Sequence, residues 1–381
     1  MGCVYEGSES LGDEYMSAAL SSEQRQFKEA TARFFSEVSP TRVVRDYMSG
    51  ETGFDALVWR RLAEELGLSG IHIPEVYGGA GFGPVELGLA CEEMGRTLYT
   101  GPFLSSSVMA GYAVLRLGND DAKARYLPGL ASGEMIGALL LDSLDAESAW
   151  GRVVKADEMQ RLHGNVPIAL GVGDASVIFA LAESREGLAL YRLLDPPSKL
   201  VTHERSALDP TRRIYQVHLN AAPAERIGLC HRTASAELFN DFCVALAHEQ
   251  IGGASALFES TVAYTKMRYQ FGRPIGSFQA LKHRCADLLL DLELAKSATY
   301  EAATVLARGE NGVEMASMAK AMASDVYMSV AKAAIQLRGG IGFTWEDDTH
   351  LWFKRAKSSE VLFGSPSYHR ERMMAYLEDV A

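Results

Sequence analysis

The sequence predicts an α+β multidomain protein: an N-terminal helical domain, a middle β domain and a C-terminal helical domain. Three observations carry this. Helix-period apolar patterns fill residues 20–133, short β-type runs broken by turn residues fill 134–229, and longer helix-period patterns occupy 230–381. With 381 residues, 48% hydrophobic and 23% charged, the chain can bury several cores and is not a disordered polymer.

The elements follow in order. Residues 1–19 have no apolar h-region, and Glu6 stands where a myristoylation signal wants Ser or Thr, so a disordered arm is expected. "LSSEQRQFKEATARFF" starts at a Ser cap and sets Phe27, Ala30, Phe34 and Phe35 on one helical stripe. "FDALVWRRLAEELGL" turns Leu57, Leu62 and Leu66 inward and stops at Gly67. In "PEVYGGAGFGPVELGLACEEMG", Gly78, Gly79, Gly81 and Gly83 resemble a phosphate cradle. No strand precedes them and no Lys-Ser/Thr follows, so a tight interhelical loop is expected. "GALLLD", "SVIFALAE", "LALYRLL" and "RIYQVHL" read as strands. Beyond Cys230, Met315, Met318, Met322, Val326, Val330, Ala333, Ala334 and Leu337 step by three and four residues, the core face of a long amphipathic helix.

Bulk properties exclude several functions. A formal net charge of −12 argues against a nucleic-acid surface. No apolar run approaches the ~18 residues of a membrane span. Cys3, Cys91, Cys230, Cys243 and Cys285 are odd in number and lack CxxC spacing, as expected of reduced thiols in a cytoplasmic protein. The nine histidines show no metal-ligand spacing, so no metal site is expected.

Specificity lies in the last third. In "MRYQFGRPIGSFQALKHRCAD", Arg268 offers a forked cation suited to phosphate oxygens, Phe271 an apolar face and Gln279 a neutral hydrogen-bonding end. In "QLRGGIGFTWEDDTHLWFKRAK", Gly339 and Gly340 end the long helix and admit close backbone approach, with Gln336 able to hydrogen-bond a ligand. With "PEVYGGAGFG", these stretches make residues 20–381 resemble the acyl-CoA dehydrogenase flavoprotein family. The resemblance implies a middle β-barrel and a C-terminal four-helix bundle. It also implies an acyl-CoA thioester substrate, an electron-transfer acceptor, and FAD bound at a subunit interface. By that carry-over Arg268, Phe271, Gln279, Gln336, Gly339 and Gly340 grip the pyrophosphate and adenine end of a neighbour's FAD. In the family reaction a carboxylate removes the α-proton and the flavin takes the β-hydrogen as hydride.

The chain departs from the family where that chemistry should be. The usual base position, in the loop written Tyr-Glu-Gly-Thr, falls on Phe363; Glu360 lies upstream and reads as a solvated helix-end charge. The minority base position falls on Phe242, beside Asp241. Glu249 is close to two turns further along the same helix, on about the same face and ~10 Å away. It is the candidate base of this chain. In the β domain Asp142 and Ser143 keep a trace of the flavin-covering segment, and "LHGNVPI" echoes a second motif without its Lys. The hydroxyl, Pro and Gly positions that shape the flavin loop are missing.

This asymmetry resembles the non-catalytic chain of an α2β2 heteromeric dehydrogenase, completing a related chain's FAD site while lacking the base. Two alternatives stay open. One is a homo-oligomeric dehydrogenase using Glu249 or another carboxylate. The other is a flavin-free scaffold or acyl-CoA-binding protein on the same fold.

Overall fold

The computed structural model describes residues 20–50, 52–141, 150, 152–195 and 200–380. The expected N-terminal arm, Cys3, Asp142 and Ser143 lie outside the described residues. Helices α1 (Ser22–Val38), α2 (Thr41–Ser49), α3 (Ala56–Leu66) and α4 (Pro84–Arg96) open the chain. A π-helical turn, Leu104–Gly111, runs into α5 (Tyr112–Leu117), and α6 (Asp120–Ala131) follows. Ser21 caps α1 in a reciprocal box with Gln24, and Gly67 ends α3 with φ 63°. The glycine-rich segment is an interhelical loop, as expected: Gly79 lies so close to Ile73 that a Cβ would fall 2.0 Å from the Ile73 carbonyl oxygen.

One expected core position is corrected. Leu57 is 65% exposed, and α3 buries Trp59, Leu62 and Ala63 instead. The large indole takes the inward face, donating its Nε1–H to the Gly133 carbonyl at 2.9 Å.

Seven strands follow: β1 (Gly137–Leu140), β2 (Lys155–Ala156), β3 (Arg161–Leu170), β4 (Val177–Ser184), β5 (Gly187–Leu193), β6 (Val201–Arg205) and β7 (Ile214–Leu229). Pairing runs β4–β2–β3–β7–β5 and returns to β4, so the sheet closes on itself as a small barrel. β1 lies parallel to β4, and β6 antiparallel to β7. On β4, Ile178, Ala180 and Ala182 face the barrel interior, while Val177, Phe179 and Leu181 pack towards the helices. That double burial is why "VIFALA" is continuously apolar.

The C-terminal helices are α7 (Arg232–Met267), α8 (Gln279–Ala307), α9 (Val313–Arg338), α10 (Thr349–Val361) and α11 (Pro366–Val380), with the two-residue strands β8 (Tyr269–Gln270) and β9 (Arg273–Pro274) between α7 and α8. α9 lies against α7, α8, α10 and α11. Of the expected stripe, Val326, Val330, Ala333 and Ala334 are buried, while the methionine half departs from it. Ala316, Ala319, Ala323, Val326, Val330 and Ala334 are buried, whereas Met315, Met318 and Met322 are only half-buried. Small residues at the contact let α9 approach its neighbours closely, and the longer methionines fill the flanks. α4 and α7 approach even closer, because a Cβ at Gly95 would lie 1.9 Å from the Glu249 carbonyl oxygen, and one at Gly252 1.9 Å from that of Glu92.

That α4–α7 contact buries adjacent carboxylates. Lys28 Nζ lies 2.8 Å from Glu92 and 4.0 Å from Glu93. Tyr300 Oη donates to Glu92 at 2.6 Å. Burial opposes ionisation of Glu92, but Lys28 and Tyr300 outweigh it and hold the carboxyl low. Burial and the Glu92 charge push Glu93 up to about 7. The folded state therefore keeps a proton on Glu93 that the unfolded chain releases, and stability falls as pH rises from its ordinary range towards 7. Glu93→Gln is expected to flatten that slope and to stabilise the protein above pH 7 by about 1–2 kcal/mol, read by denaturant unfolding at several pH values.

Candidate functional site

The two motifs of the last third meet in space. Arg268 ends α7, and Phe271 and Gly272 form the tip of the β8–β9 hairpin with φ 52° and 76°. Phe271 is 91% exposed, its ring edge against Phe278 at 6.2 Å, and Arg273 stacks over Phe278 at 4.0 Å. Gln279 opens α8 and is exposed. Across from them, Arg338 Nη1 donates to Thr261 Oγ1 at 2.8 Å and its guanidinium lies over the Tyr264 ring. This pins the end of α9 to the last turns of α7. Gln336, Gly339 and Gly340 are exposed there, Gly339 has φ 64°, and the space beside both glycines is open. A cation, an exposed ring, two amides and bare backbone face outwards, groups whose chemistry could meet a diphosphate and a flat heterocycle.

The two positions where the resemblance expects a base converge as well. Phe242 on α7 and Phe363 after α10 are both wholly buried, with ring centroids 5.3 Å apart. Trp150 packs on Phe242 at 6.3 Å, and Phe239 on Phe363 at 6.5 Å. Two apolar rings in contact stand at these positions, and neither can accept a proton. Asp241 turns away and is paired with Arg116; burial raises its carboxyl to about 6 against that partner. Glu360 ion-pairs with Lys357 on the surface of α10.

Glu249 sits elsewhere along α7, in a buried ionic cluster. It accepts from Arg212 and, at 2.7 Å, from Arg355 Nη1. Arg355 also donates to Asp209 at 3.2 Å and to Thr211 Oγ1 at 2.6 Å, and Arg212 donates to Ser359 Oγ at 2.8 Å. Burial works against the Glu249 carboxylate, but the two guanidiniums outweigh it and hold its pKa below the ordinary range. The cluster lines a cleft of about 70 Å³ shared with Tyr47, Tyr99 and Ser105, room for a few waters. Arg212, Arg355 and Asp209 were not singled out by sequence. Their pairing joins residues far apart in the chain and leaves no local pattern.

The described cysteines Cys91, Cys230, Cys243 and Cys285 are thiols. Among the described residues no His, Cys, Asp or Glu group could hold a metal ion, and no helix is long and apolar enough to cross a membrane.

The helical–barrel–helical order is the architecture expected of a flavoprotein dehydrogenase fold. The comparisons with known proteins specify which. The acyl-CoA dehydrogenase N-terminal domain model matches residues 21–134 and the acyl-CoA dehydrogenase C-terminal domain model residues 232–377. The acyl-CoA dehydrogenase IpdE2 of Mycobacterium tuberculosis is 34% identical over 90% of this chain and 94% of its own length. An acyl-CoA dehydrogenase of Bacillus subtilis is 30% identical over 90% of this chain and 97% of its own. Among solved structures, the ChsE4–ChsE5 complex of M. tuberculosis superposes with TM-score 0.85 at 24% identity, covering 94% of this chain and 98% of that one. A variant of the Tcur3481–Tcur3483 steroid ACAD gives 0.84 at 25% identity, with the same coverage. The chain belongs to the acyl-CoA dehydrogenase family of FAD-dependent oxidoreductases.

Proposed function

We propose that this chain is the non-catalytic member of a heteromeric acyl-CoA dehydrogenase. In this reading Arg268, Phe271, Gln279, Gln336, Gly339 and Gly340 complete the FAD site of a related chain. That partner supplies the flavin bed and the base that removes the α-proton of an acyl-CoA thioester, and electrons leave the flavin for a separate acceptor. The assembly is α2β2 and cytoplasmic. The Phe242–Phe363 ring pair is the observation that carries the reading. A proton α to a thioester is weakly acidic and needs a positioned carboxylate, and two phenyl rings in contact fill that place. Glu249, clasped by two arginines, is proposed to be structural, since a carboxylate held below its ordinary pKa is a weak proton acceptor. The ChsE4–ChsE5 complex and the Tcur3481–Tcur3483 steroid ACAD, both of this fold, point to a paired assembly and a bulky acyl group.

Flavin stoichiometry tests this. Purified alone, the chain is expected to be colourless and inactive; co-expressed with its partner, it is expected to join a complex with one FAD per pair of unlike chains. A yellow homo-oligomer that holds FAD at one per protomer and oxidises an acyl-CoA would sink the proposal.

A further inference from the structure

Phe363 holds its ring in place from a strained backbone. Its φ is 58°, in the left-handed region, and Gly364 follows at 96°. A residue with a Cβ does not rest there unless its surroundings impose it. The turn from Val361 to Gly364 is fastened from two sides. From α9, the fully buried Lys320 ammonium donates to the Ser359 carbonyl at 3.0 Å and the Gly364 carbonyl at 3.2 Å, with Ser324 Oγ at 3.0 Å and the Glu360 carbonyl at 3.5 Å. The three carbonyls are two near the end of α10 and the one just past Phe363, where a positive group meets the negative end of the helix. From α11, His369 Nε2 lies 2.7 Å from the Phe363 carbonyl oxygen. Burial, then the Lys320 charge, keep that imidazole neutral, so Nε2 carries the hydrogen it donates. Among the described residues no carboxylate forms an ion pair with Lys320, and the Glu360 side chain pairs with Lys357 instead. The lysine therefore joins Ser324 of its own helix to the backbone carbonyls of one turn.

We propose that Lys320 is the positioning residue that keeps this turn closed and the Phe363 ring seated against Phe242, with His369 as the second anchor. The proposal rests on reading the ring pair as a plug in the place of the base. A reporter stands behind the plug: Cys243 is wholly buried, its Sγ 3.8 Å from the Phe363 carbonyl oxygen. Cys91 on α4 and Cys230 ahead of α7 are buried elsewhere and report general loosening.

The test is N-ethylmaleimide labelling of the folded full chain, resolved cysteine by cysteine by peptide mass spectrometry. Lys320→Met is expected to raise the Cys243 rate about tenfold or more while leaving Cys91 and Cys230 within about twofold of the parent. Lys320→Arg, which restores a cationic donor, is expected to recover part of the protection. Phe363→Ala removes the ring but keeps the clamp, and sets the rate of an open site. An unchanged Cys243 rate in Lys320→Met, or an equal rise at all three thiols, overturns the clamp. If Phe363→Ala itself leaves Cys243 protected, the plug reading fails instead. Should Lys320→Met not accumulate as folded protein, Lys320→Gln, a donor without the charge, is read in the same way. No flavin or partner enters the assay, so its outcome is separable from that of the stoichiometry experiment.

Discussion

Arg268→Ala is expected to strip flavin from the assembled complex. The guanidinium stands exposed at the end of α7, beside a hairpin tip whose Phe271 ring is 91% exposed and an α9 terminus whose glycines face open space. A charge-assisted contact to a diphosphate is worth about 2–3 kcal/mol, so FAD should bind ~30- to 150-fold more weakly. After gel filtration the ratio of flavin to protein absorbance should fall sharply, with turnover falling in proportion and returning on addition of excess FAD. Thermal stability of the flavin-free chain should not move, because the residue is not packed. A complex that keeps its full flavin complement after this substitution would favour the scaffold alternative, in which the motif is inherited but idle.

Glu249→Gln is expected to damage stability instead of turnover. The carboxylate is the anion between Arg212 and Arg355, and Arg355 is only 2% exposed. Removing one member of a buried ionic group leaves its partners uncompensated at a cost of about 3–5 kcal/mol. Scanning calorimetry should show a loss of several degrees in Tm, and Arg212→Met in the same chain should recover part of it, because the two changes are coupled. The same pairing sets a pH response. The contribution of Glu249 is present above its ordinary pKa and is lost as pH falls through the lowered folded value. Were Glu249 the base, the variant would instead keep its Tm and lose turnover by several orders of magnitude.

Much of this architecture was legible from sequence because its signals are local. β4 and β5 announce themselves by short apolar runs, and Gly67 stops α3 where the pattern ends. The Gln336 to Gly340 motif marks a helix end that stays bare. What was misread depends on partners that periodicity does not name. Leu57 looked like a core residue until Trp59, two positions on, claimed the inward face. On α9 the methionines drew attention away from alanines whose small size lets helices meet. The ionic cluster was invisible for a related reason: Asp209, Glu249 and Arg355 come from a barrel loop and two helices. Lys320 reads as one more exposed-type residue until the turn it fastens is folded onto it.

The contact between Phe242 and Phe363 has an evolutionary consequence. Each buried ring packs on the other, so a change at one position alters what the other touches and the two are coupled. Regaining an acid at either one alone would press a charge against a phenyl face with no solvent to stabilise it. On the proposed reading, a self-sufficient variant of this chain would need the facing ring changed together with the restored acid.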